Sequence, residues 1–179
     1  IRFLVATLPS IAGETLFVEC IPESCEPGDL ASLCLFKDQA EHLLAALNQP
    51  LVVSLTPHKG GAAATHGAIL ETLAKSNLKV LSLERWVQRV VPGVIQLECE
   101  DVSELSKSLA VIEPDVLCFN PVHDRSSLDL AIQTVLAGRR AVISAEAPSA
   151  AHGLTWLCQL GVLPEVLADG AMVSHPPAT

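Results

Sequence analysis

Leu51-Val52-Val53-Ser54-Leu55-Thr56-Pro57-His58-Lys59-Gly60-Gly61-Ala62-Ala63-Ala64-Thr65 is the stretch on which the reading of this chain turns. Residues 51–55 form a run without charge, suited to a strand buried on both faces, and a glycine-containing turn then leads into a helical segment. Strand, glycine loop and helix together outline a phosphate-binding loop. In the pattern G-x-x-x-x-G-K-[ST], backbone N–H groups cradle phosphates, the lysine neutralises them and the hydroxyl holds Mg²⁺. Here Gly61 closes the loop, but Ala62 takes the lysine position and Ala63 the hydroxyl position. The shape is kept and the charge is gone, which implies a nucleotide-hydrolase scaffold that no longer hydrolyses.

Working outward, residues 38–47 show helical apolar spacing at Ala40, Leu43, Leu44 and Leu47, and a helix is expected over 65–76. Short apolar strands are expected at 80–83, 94–97, 116–119 and 141–144. Helices are expected at 102–110, at 127–137 ended by Gly138, at 149–160 ended by Gly161, and from 164. Apolar strands alternating with amphipathic helices predict an α/β fold with a mainly parallel sheet covered on both faces. Ligands of such sheets sit at the carboxyl ends of the strands, where the 56–62 loop lies. Residues 2–6 and 15–21 read instead as two strands joined by a 9–13 turn, and Pro22 to Asp29 has the Pro, Gly and acidic content of a linker. The expected division is therefore residues 1–25 as the end of a preceding unit plus linker, and residues 26–179 as the main domain.

Half of the residues are hydrophobic and 17% are charged, a composition that excludes a disordered chain. The net charge of -9 disfavours nucleic acid and anionic lipid as partners, because both attract basic surfaces. No apolar run approaches the roughly 20 residues a membrane helix needs, so a soluble, cytoplasmic protein without membrane insertion is expected. The start, Ile1-Arg2-Phe3-Leu4-Val5, lacks the pattern of a signal peptide and reads as an excised fragment. The six cysteines, at 20, 25, 34, 99, 118 and 158, have no C-x-x-C spacing. They are read as reduced, mostly buried thiols, and no metal site is expected.

Several segments, in order, resemble the hexameric ATPases of type II secretion and type IV pilus assembly. Ala6-Thr7-Leu8-Pro9-Ser10-Ile11-Ala12-Gly13-Glu14 is similar to that family's S-T-L-P-x-x-x-G-E turn, and residues 51–64 to its L-V-L-V-T-G-P-T-G-S-G-K-S-T loop. Residues 82–96 resemble the aspartate-box segment T-I-E-D-P-V-E-Y-x-x-P-G-x-x-Q. Residues 113–124 look like D-P-D-V-I-L-V-G-E-I-R-D, 130–138 like I-A-I-Q-A-A-L-T-G, and 141–146 like the histidine-box strand V-L-S-T-L-H. The resemblance implies a three-layer RecA-like P-loop NTPase core, with residues 1–21 as the closing strands of the small α/β domain before it. It also implies that later C-terminal helices of the family lie outside this chain.

The departures from that pattern fall on its charged positions. The glutamate after the Walker B strand matches Pro121, which has no titratable group. The aspartate of the aspartate box matches Arg85, its later glutamate matches Gln88, and the histidine of the histidine box matches Glu146. Two arginines that the preceding domain supplies match Leu4 and Glu19, while Glu84, Gly61 and Asp124 are retained. Phosphoryl transfer depends on positioning and charge stabilisation, so these replacements strike the source of the rate. No catalytic residue is assigned. Lys59, Gly60, Gly61 and Glu84 are kept as a vestigial nucleotide site, and no bound cofactor is expected.

Other residues carry simpler readings. His58, His66 and His123 are taken as loop or helix-surface histidines, since their spacing fits no metal motif. Asp124 and Asp129, near Ser126 and Ser127, read as helix-start carboxylates. Glu98, Glu100, Asp101 and Glu104 read as a solvated acidic face. Trp156 is expected in the core, and Trp86 as a partly exposed interface residue.

The function expected from all this is a catalytically inactive relative of the secretion and pilus motors, acting as a structural or regulatory subunit. Its partners would be proteins of such a machine, including active motor subunits. A monomer is expected for the piece by itself, and an oligomer for a whole protein. The alternative is a nucleotide-binding ATPase or switch that uses Lys59. In a shifted register, Lys59-Gly60-Gly61-Ala62-Ala63-Ala64-Thr65 resembles the loop K-G-G-x-G-K-T of the MinD and ParA ATPases, with Thr65 on Mg²⁺ and Ala64 in place of the main lysine.

Overall fold

The computed structural model describes residues 2–21, 30–33, 37–56, 61–99, 101–122, 124–168 and 170–174. The first two strands, β1 (Arg2–Ser10) and β2 (Gly13–Ile21), pair antiparallel in a sheet of their own, from Arg2 opposite Ile21 to Ser10 opposite Gly13. Both strands reach closer to the turn than expected. The connection narrows to Ile11 and Ala12, and Gly13 takes φ 116°, a value that glycine reaches without a Cβ clash. Phe3, Val5, Leu16 and Val18 share one face of this ribbon and are exposed.

Six strands form the second sheet: β3 (Leu51–Thr56), β4 (Val80–Glu84), β5 (Val94–Glu98), β6 (Val116–Asn120), β7 (Arg140–Glu146) and β8 (Ala171–Ser174), in the order β5-β4-β6-β7-β3-β8. Every pairing is parallel; helices make the crossovers, except that β4 and β5 are joined by the 85–93 loop. β8 extends the sheet beyond β3 and was not expected; four residues at the end of a loop carry too little periodicity to be seen.

Alternation along the strands separates two cores. The odd-numbered side chains Leu51, Val53, Leu55, Leu81, Leu83, Leu117, Phe119, Ala141 and Ile143 form one cluster. α3 (Ser106–Ile112), α4 (Arg125–Leu136), α5 (Ala150–Gln159) and α6 (Pro164–Ala168) pack there, through Leu109, Leu128, Ala131, Leu157, Val166 and Leu167. The even-numbered Val52, Val80, Val116, Cys118 and Val142 form the other, covered by α1 (Lys37–Ala46) and α2 (Gly61–Ala74) through Leu43, Ala46, Ile69, Leu70 and Leu73. This is the expected three-layer arrangement. Gly153 of α5 lies so close to Leu55 of β3 that an added Cβ would collide with the leucine methyls.

Helix ends follow local chemistry. Asp124 caps α4, its carboxylate accepting from Ser127 N–H at 2.7 Å, as expected of a helix-start carboxylate. Asp129 does not; it sits a turn further on, paired with Arg125 at 3.2 Å. Ser149 caps α5, and Gly138 and Gly161 follow the C-terminal ends of α4 and α5 with φ of 78° and 96°. α2 starts at Gly61 rather than at Thr65, so the alanines of the loop motif belong to its first turn. The thiol reading also needs correction: among the described cysteines only Cys118 is buried, Cys99 is half-buried, and Cys20 and Cys158 are exposed. No helix among the described residues is long and apolar enough to cross a membrane.

Candidate functional site

The even face of the parallel sheet changes character along its strands. Near their starts it is apolar, but at their carboxyl ends it carries Ser54, Thr56, Ser82, Glu84, Asn120 and Ser144, all buried. Glu84 stands opposite Asn120, Ser54 opposite Ser144, and Thr56 opposite Glu146. The N-terminal half of α2 closes over this row with Ala62, Thr65 and His66, each buried. The odd face of the same strands has no comparable polar group. A polar layer confined to one face and one end is where an α/β sheet of this kind receives ligand.

His66 is the centre of the layer. Its Nδ1 lies 3.1 Å from Ser144 Oγ and its Nε2 2.9 Å from Ser82 Oγ, so one side chain of α2 ties β4 to β7 across β6. A neutral imidazole donates from one nitrogen and accepts at the other, which satisfies both serines. Burial without a charged partner pushes the imidazole down to about 3, so the ring is neutral through the physiological range. The reading of His66 as a surface histidine is therefore wrong. A histidine flanked by Thr65 and Gly67 on an alanine-rich helix gives no sign of which way it faces.

Glu84 is held by Gln96 of β5, whose Nε2 donates to Glu84 Oε1 at 2.8 Å and to Arg89 O at 2.9 Å. Gln96 Oε1 in turn accepts from Val91 N–H at 2.6 Å, and Arg89 forms an ion pair with Glu71 of α2. Gln96 thus organises the 85–93 loop and the carboxyl of Glu84 together, a role that the sequence reading did not assign to it. Burial is the main cause raising the Glu84 carboxyl above its ordinary range, with bonds from Gln96 and Ser82 working the other way. Among the described residues, Thr56 Oγ1 and Asn120 Oδ1 are buried without a hydrogen-bond partner.

Of the residues singled out for nucleotide, Gly61 opens α2 and Glu84 lies in the polar row beneath that helix. Lys59 and Gly60, with His58, lie outside the described residues, as does His123. Ala62, at the lysine position, is buried. Pro121 follows β6 through a cis bond to Asn120. Arg85, in place of a box aspartate, falls on the odd side of β4 and stands over the Trp86 ring at 5.8 Å; Trp86 itself is half-buried. Among the described residues no cluster of three His, Cys, Asp or Glu could hold a metal. Among the described residues the row offers oxygen atoms and one neutral imidazole, with no lysine or arginine in it.

Parallel strand order, a helix that follows β3 in the chain and a polar carboxyl edge define an α/β core of the RecA-like fold class. Solved structures of that class share the fold. The X-ray structure of the Legionella pneumophila ATPase DotB superposes with a TM-score of 0.67 at 17% identity, over 92% of this chain and 48% of that one. The pilus retraction motor PilT with bound ADP gives 0.68 at 12% identity, over 94% and 50%. The family described as type II/IV secretion system protein matches residues 1–173, and the chain belongs to it. The type IV pilus assembly ATPase PilB of Pseudomonas aeruginosa is 26% identical over 169 residues, 90% of this chain and 30% of that protein. The type II secretion system protein E of Xanthomonas campestris pv. campestris is 24% identical over 165 residues, 88% and 29% respectively. The chain thus spans less than a third of the length of these two relatives.

Proposed function

We propose that this chain is a catalytically silent member of its family, a cytoplasmic subunit that binds other proteins of a secretion or pilus machine, active motor subunits among them. The observation that carries this reading is the chemistry of the polar row. A triphosphate with Mg²⁺ needs positive charge and a hydroxyl in the first turn of α2, and Ala62 and Ala63 stand there. Pro121 follows the strand that carries the water-activating glutamate in the family pattern, and Glu84, Glu98 and Glu146 are ionisable carboxyls at that end. Losing one electrostatic stabiliser costs about 10² to 10³ in rate, roughly 3–4 kcal/mol, and several are replaced together. The division into residues 1–25 and 26–179 belongs to the same proposal, supported by the separate sheet of β1 and β2.

Calorimetric titration of the whole chain with ATP and Mg²⁺, alongside a phosphate-release assay, tests it. Expected are no saturable heat up to about 1 mM nucleotide and no release above the blank. Turnover that a Lys59→Ala change abolishes would overturn the reading in favour of the nucleotide-switch alternative.

A further inference from the structure

An open groove of about 540 Å³ runs along α5 from the carboxyl end of β7. Glu146, the last residue of β7, lines one end of it, and Gln159, the last of α5, lines the other. Residues 151–159 of its wall cover about 12 Å of helix axis, longer than a single side chain. Trp156 stands between these ends, half-buried because it packs against the apolar cluster on the odd face of the sheet. Helical side chains lean toward the N-terminus, so the indole is directed to the Glu146 end of the groove. Trp156 lies about 10 Å along the axis from the Ser149 cap, and a lean of about one turn leaves roughly 5 Å, a distance that a bound cation bridges.

Charge in the groove is one-sided. Among the described residues Glu146 is the only carboxylate of the lining, and no lysine or arginine stands there. Its carboxylate is exposed and makes no hydrogen bond or ion pair with a described residue. His152 is already engaged, its Nδ1 2.8 Å from Ser149 Oγ. An anion is repelled here, and a wholly apolar occupant strips water from a carboxylate without replacing it. A guanidinium meets both features: it is planar, weakly hydrated, stacks on an indole face and forks onto a carboxylate. Free arginine would bring its own carboxylate beside Glu146. An arginine within a peptide brings none, and about three extended residues match the length of the groove.

We propose that this groove receives an arginine side chain presented by an extended segment of a partner protein, its guanidinium between the Trp156 ring and the Glu146 carboxylate. The inference rests on the protein-binding half of the proposed function and names the chemistry that half requires. The probe is the blocked tripeptide acetyl-glycyl-arginyl-glycinamide, with the neutral citrulline peptide of the same shape as analogue. Each is titrated into the whole ¹⁵N-labelled chain at constant ionic strength while the indole N–H resonances are followed. There are two tryptophans, and a Trp86→Phe variant assigns their signals. Expected is a saturable shift of Trp156 with a dissociation constant of about 1–10 mM, Trp86 unmoved, and the citrulline peptide weaker by about tenfold. Glu146→Gln, at an exposed position, should weaken the arginine peptide about fivefold. A Trp156 signal that does not shift saturably up to about 20 mM peptide, equal binding of the citrulline peptide, a common shift of both indoles, or an unchanged affinity in Glu146→Gln overturns the proposal. None of these outcomes bears on the nucleotide titration, so the two readings fail separately.

Discussion

Replacing His66 by alanine tests whether the Ser82–His66–Ser144 bridge holds α2 to the sheet. The side chain is fully buried and bonded at both nitrogens. Its removal leaves a cavity on the order of 60 Å³, costing ~1.5 kcal/mol at about 24 cal/mol per Å³. Two serine hydroxyls lose their partner, about 1 kcal/mol each because they can rotate toward other acceptors. The sum is roughly 3–4 kcal/mol, or about 10 °C in Tm for a chain of this size. A triple change, His66→Leu with Ser82→Ala and Ser144→Ala, removes the ring and both of its partners together and should cost only about 1 kcal/mol, chiefly for the Ser82 bond to Glu84. The pH dependence gives a second reading of the same bridge. The unfolded chain takes up the His66 proton near 6.5 and the folded one only near 3, so wild-type stability falls as pH drops from 6.5 toward 3, by up to about 1.4 kcal/mol per unit. The triple variant lacks that contribution. Urea unfolding of wild type, His66→Ala and the triple variant at pH 7 and pH 5 measures all of this. An alanine variant as stable as wild type, or a triple variant with the full acid sensitivity, would refute the reasoning.

Gly153→Ala should cost about 1–3 kcal/mol in urea unfolding, because Leu55, buried between β3 and α5, has no room to retreat from a new Cβ. Glu84→Gln should leave the chain at least as stable at pH 7. The folded-state carboxyl titrates above its ordinary value, so wild type loses stability as pH rises through that range while the amide, still able to accept from Gln96, does not. Paired melts at pH 4.5 and 8 should therefore diverge toward alkaline pH. Asp124→Ala should lower stability by about 1 kcal/mol through loss of the α4 cap, and Asp124→Asn by far less, in the same unfolding assay.

The order of strands and helices from 51 to 168 was legible because apolar runs of four to six residues alternate with helical spacing, and because capping residues such as Asp124 and Ser149 and the glycines 138 and 161 mark helix ends. That Ala62 and Ala63 carry neither cation nor hydroxyl was equally plain, since residue identity alone decides whether a side chain can carry charge. What the linear chain could not state is which residues share a face. Period two tells that Ser54, Ser82, Asn120 and Ser144 point the same way along their own strands, but only the order β4-β6-β7-β3 lines them up beneath α2. His66 shows the same limit: its partners lie 16 and 78 residues away, so its burial is a property of the assembled sheet. Periodicity and residue type act locally and can be read from a string. The polar row under α2 exists because strands distant in sequence become neighbours in space.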